Sequence, residues 1–419
     1  MDDITKSDSS SSARDDAAPR GGFAALRDPF FAKYITAYAI SMTGMMVRVT
    51  AMGYLVYDLT GDPFLLGVMS FAQVAPEIIF GPVAAAVLDR IDRRKLLMLI
   101  QAIYIVGMLT LMVLIGTEVV KFWHLVVIGA TLGTAASFDW PARMALVPTL
   151  VERPLMQSAV AINAATFNGA RVVGPSLGGW LIGLVGVMWC FGLYAVALVP
   201  FIAMLAVMPH NRRPRARNHD GSPWGDLVEG YRYIWEHKQI RAMLTVDIVP
   251  IMLGMSYITM APAFAREVLE MGSEGLGYLL SGNGIGSLLG TLIVARMSGM
   301  RGRGMVVVVG VLLFGFSLIA FGLSSGLMYS LGLIVVVGLM MGIYGTMNDT
   351  LIQTTVDDEY RGRVSATYSM LWGLSPIGGL IAGALATVVG VQWAIAICGM
   401  LVLLYVPYLW FFTPLRHVD

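Results

Sequence analysis

Charge is scarce in this chain. Aspartate, glutamate, lysine and arginine make up 13% of 419 residues, against about 25% in soluble domains. What charge there is nearly cancels, at +1, so the basic face that a nucleic-acid partner requires is missing. Cysteine is scarcer still. Cys190 and Cys398 both lie inside apolar stretches and read as small core hydrophobes rather than a disulfide or a metal pair. No Walker loop, zinc-ligand spacing or Ser–His–Asp order is present. These absences exclude an ATP-driven pump and an intrinsic enzyme, and they predict no metal and no cofactor.

What remains is hydrocarbon. Hydrophobic residues account for 57% of the chain, arranged in runs near the roughly 20 residues that a helix needs to cross a bilayer. Twelve runs are legible, at about 32–58, 63–88, 95–115, 122–138, 156–185, 189–208, 241–265, 275–297, 305–323, 328–350, 364–389 and 393–412. They predict an all-α membrane protein. The polar stretch 1–28, with its Ser9–Ser12 run, has no signal-peptide core and reads as a disordered cytoplasmic tail. Residues 29–208 form one set of six spans and 241–412 the other. Between them, 209–240 is a cytoplasmic linker with an amphipathic surface helix around Trp224–Lys238, and 413–419 is a second cytoplasmic tail. With both termini inside, only Lys121 and Arg266 fall in outer loops, and Arg48 and Arg171 within spans. Every other Lys or Arg faces the cytoplasm, the asymmetry that fixes orientation.

The chain also repeats itself. Val185-Gly186-Val187-Met188-Trp189 returns as Val389-Gly390-Val391-Gln392-Trp393, an offset of 204. Pro175-Ser176-Leu177-Gly178-Gly179 has a counterpart in Pro376-Ile377-Gly378-Gly379, and Leu66-Gly67 in Leu276-Gly277, which sets Gln73 against Asn283. Parallel halves of this kind place a solute cavity between them, near the membrane midplane.

The densest charge is Leu88-Asp89-Arg90-Ile91-Asp92-Arg93-Arg94-Lys95. It marks the cytoplasmic side, and it resembles the loop 2–3 signature of the major facilitator superfamily, Gly-x-x-x-Asp-Arg-x-Gly-Arg-Arg/Lys. Asp89, Arg90, Arg93 and Arg94 match; Ala85 and Asp92 stand where the signature has glycine. Gly174-Pro175-Ser176-Leu177-Gly178-Gly179 resembles the end of the fifth-helix antiporter motif, with Ala161 and Ala170 at its upstream glycine positions. Gly53–Gly61, Asp139-Trp140-Pro141-Ala142-Arg143, Pro262–Arg266 and Arg361-Gly362-Arg363-Val364 are similar to the enterobactin-exporter-like, or transmembrane secretion effector, branch. The resemblance covers nearly all of residues 27–412 and implies twelve helices in two pseudo-symmetric six-helix bundles.

Charges inside spans are functional hypotheses by default. At 1.5 Å per residue, Arg48, Glu77 and Arg171 fall roughly 17 to 21 Å from the outer ends of their spans, near mid-depth. Glu77 follows Pro76, with Gln73 one turn earlier on the same face. We read it as a proton-coupling carboxylate with Arg48 or Arg171 as counter-ion, or as one partner of a permanent ion pair that only orients helices. Asn168, Arg171 and Pro175 share a face of the fifth span. Arg171 there either attracts an anionic or oxygen-rich solute or satisfies carbonyls freed near Pro175. Asp247, nearer the inner end of its span, is a second titrating group or a solvated or gate-pairing acid. Asn283 is interhelical glue. Gly174 and Pro175 are expected to bend the fifth helix, with Gly178 and Gly179 allowing close approach.

By analogy the charged turn is a cytoplasmic gate. The resemblance places Asp89 at the N-terminus of the eleventh helix and pairs Arg90 or Arg93 with Asp139. Arg94, Arg143, Asp349 and Gln353 complete the rim, the last two at the repeat positions of Asp139 and Arg143. The reading as a whole is a monomeric secondary transporter of the bacterial inner membrane, drawing on a proton gradient to export a siderophore- or drug-like solute. Its partners are the solute, protons and the lipid bilayer. The alternatives are a proton-coupled importer on the same fold and, further off, a non-transporting membrane receptor.

Overall fold

In hydrocarbon a backbone N–H or C=O finds no water, so each segment must bond to itself. The computed structural model follows that rule. It describes residues 24–88, 91–208, 223–297, 300, 302–357 and 359–417, and every regular element among them is helical. Most of the N-terminal stretch, Asp89 and Arg90 of the charged turn, the first part of the linker and residues 418–419 lie outside the described residues.

Fifteen helices follow one another: α1 Pro29–Thr60, α2 Pro63–Leu88, α3 Arg93–Gly116, α4 Phe122–Leu150, α5 Met156–Val185, α6 Val187–Val207, α7 Pro223–Glu236, α8 Lys238–Val249, α9 Ser256–Glu267, α10 Ser273–Arg296, α11 Arg303–Gly322, α12 Leu327–Thr355, α13 Arg361–Leu371, α14 Ser375–Val389 and α15 Val391–Phe412. Among the described residues, ten segments are long and apolar enough to cross a bilayer, α8 and α9 counting together as Lys238–Glu267. The helices α4 and α5 have the length, at 29 and 30 residues, but Asp139 and Arg143 in one, and Asn168 and Arg171 in the other, lower their apolarity.

Three expected spans are corrected in detail. The fourth was expected to end at 138, where the charges begin; the helix continues to Leu150 because those charges are paired inside the protein. The seventh is not one helix. At Pro250, which has no N–H to donate, the backbone widens into a π turn over Pro250–Gly254, and α9 restarts at Ser256. The eleventh breaks at a 3-10 turn, Trp372–Leu374. The two breaks are neighbours, and the π turn also packs on α14: a Cβ on Gly378 would lie 1.3 Å from the carbonyl oxygen of Met252. Only glycine fits there.

In the first half of the chain α1 packs on α5 and α6, α2 on α4, and α3 on α4 and α6. In the second, α10 and α11 pack on α12, and α15 on α11 and α14. Two seams join them, α2 against α14 and α5 against α10. Both are closest near the end of the molecule that carries Gly61 and Gly186. A Cβ on Gly67 would lie 2.5 Å from the Gly379 carbonyl oxygen, and one on Gly179 would lie 2.4 Å from that of Ser273. At the same end Arg266 donates to Asp58 at 2.5 Å and Tyr57 to Glu267, tying α1 to α9. At the opposite end α7 docks on α13. Arg363 pairs with Glu229 at 3.3 Å, Tyr233 donates to Asp357 at 2.9 Å, and the Tyr233 and Tyr360 rings stack 4.2 Å apart.

Backbone-to-backbone packing makes a test. A Cβ on Gly286 would lie 2.0 Å from the Val335 carbonyl oxygen, whereas Gly332, also helical, meets nothing within 4 Å. We predict that Gly286→Ala costs about 1–3 kcal/mol of stability through overpacking, while Gly332→Ala is neutral or gains up to about 1 kcal/mol from helix propensity. Unfolding of the purified variants in detergent checks the ordering; equal midpoints would defeat it.

Candidate functional site

The mid-depth polar residues fall into two groups, one at each seam. At the first, Arg48 on α1 donates to the Gln73 amide oxygen of α2 at 3.4 Å, and its guanidinium lies 5.7 Å from the centre of the Tyr194 ring. The Gln73 backbone is pressed against α4, since a Cβ on Gly133 would lie 1.9 Å from its carbonyl oxygen. One turn on, Glu77 is exposed and makes no hydrogen bond or ion pair among the described residues. Arg48, not Arg171, is the cation whose field acts on it. The next residue, Ile78, abuts Gly373 in the 3-10 turn before α14. Glu77 therefore stands where α2 meets the broken helix of the other half. The permanent ion pair held open by the sequence is not formed.

At the second seam, α5 continues as helix through Pro175. Proline leaves a carbonyl without its donor one turn earlier, here that of Arg171, and α10 packs along this stretch. Ser281 donates to the Val172 carbonyl at 3.0 Å and bonds to Ser176, while Gly284 faces the Arg171 carbonyl oxygen. The Arg171 side chain takes no part in these bonds. Half-buried, it makes no hydrogen bond or ion pair among the described residues, and Tyr257 of α9 is the titratable group acting on it. Asn168 is exposed on the same helix and donates to the Ala164 carbonyl at 3.0 Å. Asn283 donates to the Tyr257 hydroxyl at 2.6 Å, tying α10 to α9 as the sequence suggested. Gly174 and Gly178 pack α5 onto α1, against Met46 and Thr50. Gly179 closes on Gly277 of α10.

The expected rim is rearranged. Asp139 does not meet Arg93. Arg143, 1% exposed, occupies it at 2.8 Å, one turn along α4. Gln101 of α3 closes the triangle, donating to Asp139 at 2.9 Å and accepting from Arg143 at 3.1 Å. The guanidinium also lies 4.1 Å from the centre of the Phe201 ring, a contact worth about 2 kcal/mol when desolvated. Arg93 instead donates to the Ala145 carbonyl at 3.2 Å. Arg94 donates to the carbonyls of Met208, at 2.6 Å, and Ala206, placing a cation on the negative end of α6. Asp92 is the N-cap of α3, accepting from the Arg94 amide at 2.9 Å. Asp89 and Arg90, the latch residues proper, lie outside the described residues.

The repeat of this triangle in the second half is chemically different. Asp349 and Gln353 are exposed, and the buried polar residue beside them is Asn348. It donates to Asp247 of α8 at 2.7 Å and to the Met243 carbonyl at 2.9 Å. Tyr368 of α13 donates to the same Asp247 oxygen at 2.7 Å. Asp247 is 2% exposed, so it is not a solvated acid. Sequence reasoning missed Gln101, Tyr257, Asn348 and Tyr368, and the Asp58–Arg266 bond. For the last a signal existed: Arg266 is one of two outer-loop cations.

Solved transporters share this fold. The chain superposes on a D-xylose–proton symporter with a TM-score of 0.72 at 12% identity, covering 92% of this chain and 99% of that one. On an inward-facing, unoccupied bacterial homologue of the human lysosomal transporter Spinster the TM-score is 0.71 at 13% identity, covering 94% and 96%. The fold is that of a multi-span membrane transporter of the major facilitator type.

Residues 20–419 match the transmembrane secretion effector family, and the chain belongs to it. It is similar to the multidrug efflux pump Tap of Mycolicibacterium fortuitum, 25% identical over 90% of this chain and 94% of that protein. It is similar also to a staphyloferrin A transporter of Staphylococcus aureus, 23% identical over 80% and 84%, and to the enterobactin exporter EntS of Escherichia coli, 24% identical over 86% and 83%. The protein is a membrane transporter, not an enzyme.

The buried triangle yields a prediction. Arg143→Met leaves Asp139 charged and unpaired in the interior, and should cost about 3–5 kcal/mol. Adding Asp139→Leu should recover most of it, because a matched apolar pair replaces the ions. Unfolding midpoints of the single and double variants decide this; a double variant no better than the single would show that the pair does more than neutralise itself.

Proposed function

We propose that this protein is a proton-driven antiporter of the bacterial inner membrane that exports a small organic solute by alternating access. Twelve spans in two pseudo-symmetric six-helix bundles carry it, with both termini in the cytoplasm. The solute reading draws on relatives named for enterobactin, staphyloferrin A and multidrug efflux. In this topology Gly61, Gly186 and Glu267 face outward, so the closest glycine contacts of both seams lie on the outer side.

The observation that carries the proposal is the pair of unpartnered ions at the seams. Arg171 has no anion and Glu77 no cation within bonding distance among the described residues. Leaving both unpaired at mid-depth is costly, and it is the state expected of groups that take their partners from outside the protein. Arg171 is the solute-facing cation, suited to a carboxylate, catecholate or other anionic oxygen. Glu77 carries the proton, with Arg48 setting how readily it gives it up.

Two predictions follow from these roles. In proteoliposomes with an internal pH indicator, solute export should be accompanied by inward proton movement, and Glu77→Gln should abolish the proton movement while leaving the protein folded. Proton-dependent transport that survives in Glu77→Gln removes Glu77 from this role, and proton flux of the opposite sign makes the protein a symporter. Arg171→Met should weaken solute affinity about tenfold or more, the worth of a lost charge-assisted bond. Arg171→Lys should lose part of that, because the planar fork is gone. Equal affinities in equilibrium binding for all three proteins would place the solute elsewhere.

A further inference from the structure

Asp247 sits in a different place and a different chemistry from Glu77. It lies on α8, just before the π turn, in the half that holds neither Glu77 nor Arg48. No lysine or arginine is bonded to it among the described residues. The groups around it are acidic or neutral: Asp349 and Tyr344 on α12, Tyr368 on α13, and Tyr405 on α15, which donates to the Thr245 carbonyl at 2.7 Å. The segments flanking α8 bring Glu236, His237 and Arg416, none bonded to Asp247, and on α8 itself Arg241 is turned to the Trp235 carbonyl at 3.2 Å. A bare carboxylate here would be a buried charge facing a second carboxylate.

The hydrogen bonds are lopsided. Both donors, Asn348 Nδ2 and Tyr368 Oη, go to Asp247 Oδ2, at 2.7 Å each, and Oδ1 accepts nothing among the described residues. Asn348 is fully buried, yet its own Oδ1 also has no donor. An orphaned buried acceptor costs about 1–3 kcal/mol. Two acceptors therefore lack a hydrogen at adjoining groups already joined by one bond. A single hydrogen answers both. Placed on Asp247 Oδ1, it removes the buried charge and supplies an O–H that can donate to Asn348 Oδ1, turning the pair into a doubly bonded carboxylic acid–amide.

We propose that Asp247 and Asn348 form a site that takes up one proton, held on Asp247 and shared with the Asn348 amide. The proton comes from a hydronium ion, which leaves as water, and an O–H bond forms at Oδ1. Because Tyr368 donates to this carboxyl from α13, the broken helix whose next turn meets α2 beside Glu77, loading the site removes the charge assistance from that bond and loosens the hold of α8 on α13. The inference does not depend on Glu77 being the coupling acid, nor on any solute.

Infrared difference spectra between acid and alkaline pH, across roughly pH 5 to 9 where buried carboxyls titrate, test it on the full chain in lipid nanodiscs. Working in a Glu77→Gln background removes that carboxyl from the record. The expected result is a carboxylic C=O band, present on the acid side, that is lost in Asp247→Asn. Asn348→Leu, which keeps the acid, should retain the band and move it to higher wavenumber, because the O–H has lost its acceptor; this variant carries the test if Asp247→Asn does not fold. A band indifferent to Asp247→Asn, or unmoved by Asn348→Leu, overturns the proposal. So does a band displaced by sodium at fixed pH, which would assign the two oxygens to a metal cation.

Discussion

A charge held in hydrocarbon must be neutralised, and most of this structure is organised by how that is done. The first half does it close at hand: Asp139 and Arg143 are one helical turn apart, and Gln101 bonds to both, leaving Arg143 Nη1 without a partner among the described residues. That cluster cancels its own charge and sits in a buried core. The second half has no such cation. Its buried acid is surrounded by hydroxyls and an amide, which stabilise a carboxyl but do not cancel its charge. Two halves with the same helix order thus bury polarity by different means, one by an ion pair and one by an acid bonded to an amide and a hydroxyl.

Where the polar residues sit follows from the glycines. Close approach at the Gly67–Gly379 and Gly179–Gly277 contacts lets the halves touch through backbone at one end. Farther along the same helices, side chains resume and the seams carry Glu77 and Arg171. The breaks in regular helix fall on the second half alone, at Pro250–Gly254 and Trp372–Leu374. They lie beside each other, and the π turn meets α14 through Met252 and Gly378. A π turn packed on a partner helix with no Cβ between them is a place where a helix can bend without opening a cavity. The two acids most exposed to question, Glu77 and Asp247, both stand next to these breaks.

The helices were legible in the sequence because apolar length and the positions of Lys and Arg are local properties. The family was legible because its motifs are contiguous. Misreadings arose where a residue's state depends on a partner far along the chain. The fourth span appeared to stop at Asp139 because nothing local says that Arg143 and Gln101 will cancel its charge. Asp139 was assigned to Arg90 or Arg93 by analogy, yet Arg143 was four residues away on the same face, a spacing that favours pairing on any helix. Arg94 was placed on the rim, and nothing local shows that it reaches the end of α6, 112 residues further along in its contact with Ala206. Asp349 was placed by the repeat, while the side chain buried at that level is its neighbour Asn348.

The seams bear on how such a protein can change its cargo. A contact made of glycine and carbonyl oxygen has no side chains to vary, and almost any replacement would force the halves apart. On the proposed reading of Arg171, variation that alters which solute is carried falls to positions flanking the seams, such as those around Asn168 and Tyr257. The glycine contacts themselves stay chemically mute. On that reading closure and recognition rest on different atoms, so a lineage can retool one without disturbing the other.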